Sequence, residues 1–501
     1  MTLLPHIIPL FVVIPLGAAF LLSLLGKKVR ALPDIFGFMT TFSLFVLSLF
    51  AVCFVNLSGT YVYSVGSWKP PVGISMVLDG LSAFMLVTVN IVAFLIAVYS
   101  TSYMNQYTSK WKFYTLFFLM LAGMNGVIIT GDLFNLFVFL EIASVASYAL
   151  VAFGTEKHEL EAAFKYAVMS TVGSLFILFG IVLLYSCTST LNMADMSRCL
   201  EGTCNSNITL MVSVLFIMGF GLKAALVPFH AWLPDAHPSA PAPISAMLSG
   251  VLIKSLGVYA LCRIFFNVIG LTSMISEIFL FIGVLSMVIG VFLAIGQWDL
   301  KRLLAYHSIS QIGYVILGIG LGTPLGIFGG LFHLFNHSIF KSLLFLNSGA
   351  VEYAAGTRNL QQMGGLGKRM PVTGGTSLVA SMSIAGIPPF NGFWSKLVII
   401  MAAVEAGRYG YAFWAVLASL LTLASFMKVM KYAFMGSLHE RWKEIKEVPF
   451  FMKVSMITLA FICIVGGILC FSAYKDMFLQ QATNILLAGK KYAIIAFQEM
   501  K

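Results

Sequence analysis

Apolar positions fill runs long enough to cross the roughly 30 Å hydrocarbon core of a bilayer, each crossing needing about 20 residues, and such runs recur from end to end of the 501-residue chain. The alternation over about ten residues that marks a membrane barrel is missing. The pattern predicts an all-α polytopic membrane protein with about fourteen transmembrane helices, near 5–25, 33–55, 77–99, 113–130, 133–153, 162–186, 208–227, 243–266, 272–296, 303–322, 325–350, 372–404, 410–434 and 449–472. Thr130, Gly131 and Asp132 form a short turn between two of these, with Asp132 placed to cap the next helix.

Composition agrees: 59% of residues are hydrophobic, 10% are charged and the mean hydropathy is +0.95. Basic residues then fix the orientation. With the N-terminus outside, the inside gaps and their flanks collect Lys27, Lys28, Arg30, Lys110, Lys112, Lys157, Lys301, Arg302, Arg358, Lys368, Arg369 and the cluster from Lys428 to Lys453. The outside gaps and the tail hold Lys69, Arg198, Arg263, Arg408, Lys475, Lys490, Lys491 and Lys501. This bias of roughly two to one follows the positive-inside rule. The net charge of +11 is thereby explained by topology, without nucleic acid as a partner. The basic cluster Lys27, Lys28 and Arg30 follows the first apolar run, so that run is read as a retained helix rather than a cleaved signal.

Seven cysteines are scattered without the spacing of a zinc or iron–sulfur site. Cys199 and Cys204 share an outside loop where a disulfide can form, although closing so short a loop is geometrically demanding. No nucleotide-binding glycine fingerprint appears. The chain itself is expected to carry no cofactor, and any redox or ATP chemistry belongs to a partner.

The candidate chemistry lies in charge at bilayer depth, where each ionisable residue costs at least about 2.5–3.5 kcal/mol to insert. Glu141 falls nine residues after Asp132, about 13 Å along a helix and near the midplane. Burial favours the neutral form of a lone carboxyl, and a lysine partner would hold it ionised. Lys223 precedes Pro228, which removes a backbone donor and leaves carbonyls free near it. The proline-rich stretch that follows, through His230, Asp235 and His237, is too broken for a regular helix and is a candidate proton way in from the inside mouth. Lys254 lies eleven residues after Pro243, with only the hydroxyls of Ser249 and Ser255 close in sequence. His333, His337 and Lys341 recur every four residues and so share one helical stripe. Imidazole can accept a proton on one nitrogen while donating from the other, which suits a relay; two histidines at this spacing can also bind a metal, but no third ligand is evident. Lys396 follows a second break at Pro388 and Pro389. For each of these residues the competing reading is a structural one, an ion pair or hydrogen bond that only fixes packing.

Two broken spans, each with a lysine and offset by five spans, predict an inverted repeat of spans four to eight against nine to thirteen. The expected organisation is N-terminal helices over 1–112, one half-channel over 113–270, a second over 271–434, and a last helix with a tail over 435–501.

Gly131 through Glu141, Lys223 through His237, Lys254, the His333, His337 and Lys341 stripe, and Gly386 through Lys396 together resemble the antiporter-like subunits shared by respiratory complex I, Mrp-type cation/proton antiporters and membrane-bound hydrogenases. The resemblance runs over nearly the whole chain and is closest to the Mrp D-type protein, partly because the last key residue is the lysine Lys396. It implies that Glu141 pairs with Lys223 and that protons pass along a hydrated axis by way of Lys254, His333, His337, Lys341 and Lys396. It also implies other membrane subunits as partners, in the cytoplasmic membrane of a prokaryotic-type cell. Three functions compete: a subunit of a stand-alone sodium/proton antiporter, a proton- or sodium-moving subunit of a redox-driven complex, and a membrane enzyme acting on a lipid-linked substrate. The last fits poorly, because the unusual charges are buried and mostly basic.

Overall fold

A computed structural model describes residues 6–200 and 206–498. Among the described residues, twelve helices are long and apolar enough to cross a bilayer: Ile7–Leu25, Leu32–Ser58, Gly80–Gln106, Lys110–Ile129, Leu133–Val151, Lys157–Thr188, Ser206–Lys223, Ala242–Val268, Ser273–Ile295, Leu300–Gly320, Tyr409–Phe434 and Phe450–Cys470. Three further helices matter for function. Pro324–Ala355 has 32 residues, and Pro371–Ala385 and Asn391–Glu405 have 15 each. A 15-residue helix reaches only about 22 Å, so neither of the last two spans a hydrocarbon core alone.

Two expectations need correction. The protein is not wholly α-helical: Tyr61–Ser64 and Ser75–Leu78 pair as an antiparallel hairpin, and the third long helix starts only at Gly80, capped by Asp79, whose carboxylate accepts from Ser82 N. Strands of four residues are too short to interrupt an apolar pattern visibly. The stretch after Lys223 is also less irregular than its prolines imply. Leu233–Ser239 is a short helix with Pro234 in its first turn, where the missing N–H has no intrahelical partner to lose.

Polarity is arranged inside out. Ala242–Val268 is fully buried, and Leu300–Gly320 is almost so despite the low mean hydropathy of 1.3. Phe164, Leu175, Phe179, Phe281, Phe413 and Phe461, by contrast, are exposed on the outer helices. Side chains that would be costly in lipid are thus packed against protein, and lipid-compatible ones face outward. Gly80–Gln106, Ala242–Val268, Leu300–Gly320 and Pro324–Ala355 form the polar interior.

Two chain corners are built alike. Asp132 pairs with Asn192 and Asp299 with Asn359 as isolated bridges. At the first, Leu133 N donates to Leu191 O at 2.8 Å and Met193 N to Gly131 O at 2.9 Å. At the second, Leu300 N donates to Arg358 O and Leu360 N to Trp298 O, both at 2.9 Å. Each aspartate caps the helix that follows it. The first corner adjoins the hairpin through Met76 and Thr130. The second adjoins the basic loops, where Arg358 pairs with Asp299 at 2.6 Å.

The disulfide that Cys199 and Cys204 can form involves Cys204, which lies outside the described residues.

Candidate functional site

The interior polar groups are spread along several helices rather than gathered in one pocket. At one end, on the Leu133–Val151 helix, Glu141 accepts from Ser174 Oγ and from Lys223 Nζ at 3.4 Å. Lys223 is the last residue of its helix and also donates to Ser170 Oγ at 2.6 Å and Ser144 Oγ at 3.1 Å. The helix stops at this lysine instead of being disturbed a turn later by Pro228, and the freed carbonyl of Leu222 accepts from Trp232 Nε1 at 3.0 Å. The ammonium is buried while the carboxylate side chain keeps 30% exposure. Glu141 therefore lies on the outer wall of the protein with its partner behind it.

Two glycines bring the next members close. A Cβ on Gly257 would fall 2.5 Å from Ala224 N, and one on Gly250 would fall 2.2 Å from Ser342 Oγ. The Ala242–Val268 helix can therefore touch both the end of the Lys223 helix and the Pro324–Ala355 helix. Lys254 lies between these contacts. Its partners are not the hydroxyls expected from sequence but backbone carbonyls, Ser249 O at 2.5 Å and Gly250 O at 2.6 Å. Leu248–Leu252 and Lys254–Tyr259 are π-helical, a winding that displaces carbonyls from the regular ladder and is common at functional sites. An ammonium has three donors and no acceptor, and these carbonyls satisfy two of them. Ser249 Oγ then meets Ser308 Oγ at 2.7 Å.

The stripe on Pro324–Ala355 is buried throughout. Lys341 Nζ donates to Leu304 O at 2.5 Å. His337 has no protein hydrogen-bond partner on either ring nitrogen among the described residues and stacks on His333, with centroids 6.3 Å apart. Lys254, Lys341 and Lys396 all lie within electrostatic reach of it. His333 shares hydrogen bonds with Ser395 Oγ at 2.9 Å and Gln311 Oε1 at 3.2 Å. These contacts lead to the second break. The Pro371–Ala385 helix ends at Gly386 with a left-handed φ of 80°, Pro388 and Pro389 follow, and the chain resumes as Asn391–Glu405. Lys396 reaches back across the break to Ile384 O at 2.7 Å and Ser419 Oγ at 3.2 Å, beneath the Tyr314 ring at 4.8 Å.

The expected inside mouth is divided. Asp235 is held by Lys165 at 3.2 Å and Arg302 at 3.7 Å, and lines a recess of about 260 Å³ together with Glu161, Asp299 and Arg358. His237 lies behind this recess, fully buried against Phe345. His230 is half-buried and outside this lining.

Several polar residues escaped the sequence reading. His307, fully buried, meets Ser425 Oγ at 2.8 Å. Gln311 follows it by four residues, so a His-to-Gln stripe was the available signal. Lys301, expected in an inside gap, is buried and pairs with Glu352 at 2.7 Å. Arg263, expected among the outside charges, is buried within the Ala242–Val268 helix and pairs with Asp79 at 2.7 Å. In both cases a basic residue near a helix end is buried because an acid from another segment holds it, Asp79 fully buried and Glu352 partly exposed.

Residues 130–422 match a family model described as NADH:quinone oxidoreductase/Mrp antiporter, TM, and residues 61–114 match one described as NADH-Ubiquinone oxidoreductase (complex I), chain 5 N-terminus. Among similar proteins, the N-type membrane protein of the NADH-quinone oxidoreductase of Desulforudis audaxviator is 36% identical over 441 residues, covering 86% of this chain and 87% of its own. The D-type protein of the Na(+)/H(+) antiporter of Alkalihalophilus pseudofirmus is 35% identical over 440 residues, covering 87% of each. A chain in the structure of the Mrp complex from Dietzia sp. superposes with a TM-score of 0.91 at 28% identity, over 100% of both chains. One in the membrane-bound sulfane sulfur reductase, an archaeal respiratory membrane complex, gives 0.88 at 30% identity, over 98% of this chain and 99% of that one. Similarity on this scale, over a fold of many apolar helices, places the chain in the family of multi-pass antiporter-like membrane subunits shared by NADH:quinone oxidoreductases and Mrp antiporters.

Proposed function

We propose that the protein moves protons, with sodium as the second candidate ion, along the file Glu141, Lys223, Lys254, His337, His333 and Lys396, with Lys341 beside the histidines. The observation that carries this reading is the set of buried lysines and histidines together with the partly exposed carboxylate of Glu141, which pairs with Lys223 on the outer wall. A neighbouring subunit that draws Glu141 away leaves Lys223 without its counter-charge, and the lysine then passes its proton inward. His337, with both nitrogens free of protein partners among the described residues, is suited to receive and release protons. Asp235 and His237 form the inside way in. His230 is the least favoured of the three mouth residues.

The repeat supports two half-channels, 113–270 and 271–434, joined at Lys254 and flanked by helices within 1–112 and a C-terminal part over 435–501. Its support is the matched pair of Asp–Asn corners. Pro324–Ala355 and the broken pair Pro371–Ala385 and Asn391–Glu405 would bring the crossings to fourteen, with the N-terminus outside and the basic loops in the cytoplasm. Partners are other membrane subunits, and Glu141 marks one contact face.

Whether a redox reaction or an ion gradient drives transport divides the two nearest functions. Uptake into everted vesicles holding the whole complex, energised once by a reduced electron donor and once by an imposed pH gradient, tests both. Donor-driven uptake that vanishes in Lys223→Ala and Lys396→Ala establishes a redox-coupled pump. Uptake driven only by the gradient and lost in the same variants establishes an antiporter. Normal transport by both variants overturns the relay.

A further inference from the structure

A second buried charge network, which the relay does not use, closes the hairpin end of the Ala242–Val268 helix. Arg263 lies nine residues beyond Lys254, about 13 Å further along the axis, and opens the π-helical segment Arg263–Val268. Its guanidinium donates to Asp79 Oδ1 at 2.9 Å, to Tyr259 OH at 3.2 Å and to Asn267 Oδ1 at 3.3 Å. The Tyr492 ring covers it at 5.0 Å. Asn267 in turn donates to Ile485 O and Gly489 O, which ties the C-terminal segment over the same spot. Asp79 and Arg263 are both buried.

The proton inventory of this cluster is specific. Tyr259 OH spends its single proton on Ile128 O at 2.5 Å and can only accept from Arg263. The Asp79 carboxylate is occupied by the guanidinium and by Ser82 N. Arginine has five donors and no acceptor, and it keeps its proton inside proteins. A hydrogen-bonded path that meets such a group has no site to accept the arriving proton.

We propose that Arg263, locked by Asp79, Tyr259 and Tyr492, is the outer plug of the proton axis: a polar end that satisfies the helix terminus yet conducts no protons. The proposal rests on the relay reading. Lysine at this position keeps the charge but can release a proton, and it cannot hold three partners in a planar fork.

The test compares wild type, Arg263→Lys, Tyr492→Leu and the double variant Arg263→Lys/Lys254→Met. Each is assembled in its whole complex, and the passive collapse of an imposed pH gradient is recorded beside coupled uptake. Collapse several-fold faster in Arg263→Lys, and slowed again by Lys254→Met, is expected. A smaller acceleration is expected for Tyr492→Leu, which leaves no charge unpaired and decides the matter should Arg263→Lys fail to assemble. Assembled variants as proton-tight as wild type, or a leak indifferent to Lys254→Met, overturn the plug. Wild-type vesicles without coupled uptake overturn the relay itself, a separate result.

Discussion

Glu141 accepts from a buried ammonium and from Ser174 on the same carboxylate oxygen, and its partial exposure lets a neighbour compete for it. Glutamine at this position keeps the volume and the hydrogen bonding but removes the charge that holds Lys223 ionised. Lys223 retains Ser144 and Ser170, so the cost to folding should stay below the roughly 3–5 kcal/mol typical of orphaning a buried charge. Glu141→Gln is therefore expected to reduce coupled transport to background while the complex assembles in wild-type amounts, measured by vesicle uptake and by native gel of the solubilised complex. Wild-type uptake would leave Glu141 with a packing role only.

At the scale of helices, approach distance does the work. Valine at Gly257 would press against Ala224 backbone at 2.5 Å, which cannot yield as a flexible side chain would, and overpacking of this kind costs about 1–3 kcal/mol. Gly257→Val should lower the thermal midpoint of the solubilised complex and reduce transport by separating Lys223 from Lys254. Gly375 has nothing within 4 Å of its would-be Cβ, and Gly375→Ala is expected to leave the midpoint unchanged or slightly raised, because alanine is the better helix former. Equal losses in both would remove the distinction. The same contacts show what the sequence could reveal. A stripe such as His333, His337 and Lys341 is legible because four-residue spacing alone brings side chains onto one face. Charges buried in apolar runs are equally legible, because lipid makes them improbable by chance. The carbonyls that hold Lys254 are not, because π-winding leaves no mark on the apolar pattern. Nor are the Asp79–Arg263 and Lys301–Glu352 pairs, whose partners lie 184 and 51 residues apart in sequence.

For the whole molecule, the inverted repeat proposed from the two Asp–Asn corners requires the Asp132 corner and the Asp299 corner to lie on opposite membrane faces. The hairpin turn and the basic loop before the last long helix report those faces. Val72 is 78% exposed in the hairpin, and the Lys443 side chain is 58% exposed in the basic loop. Between them lie nine of the twelve long apolar helices, Pro324–Ala355 and the broken pair. If the broken pair crosses the bilayer, as Lys396 reaching back to Ile384 O allows, the number of crossings is odd and the two sites face opposite sides. If both of its halves enter and leave by one face, the number is even and the sites share a side. With the seven native cysteines replaced, an impermeant maleimide should label Val72→Cys in intact cells and Lys443→Cys only after permeabilisation. The reverse pattern would invert the orientation and exchange the half-channel that opens inward. Labelling of both from one side would mean that the broken pair re-enters without crossing, so that Lys396 would open to the face now assigned to Asp235.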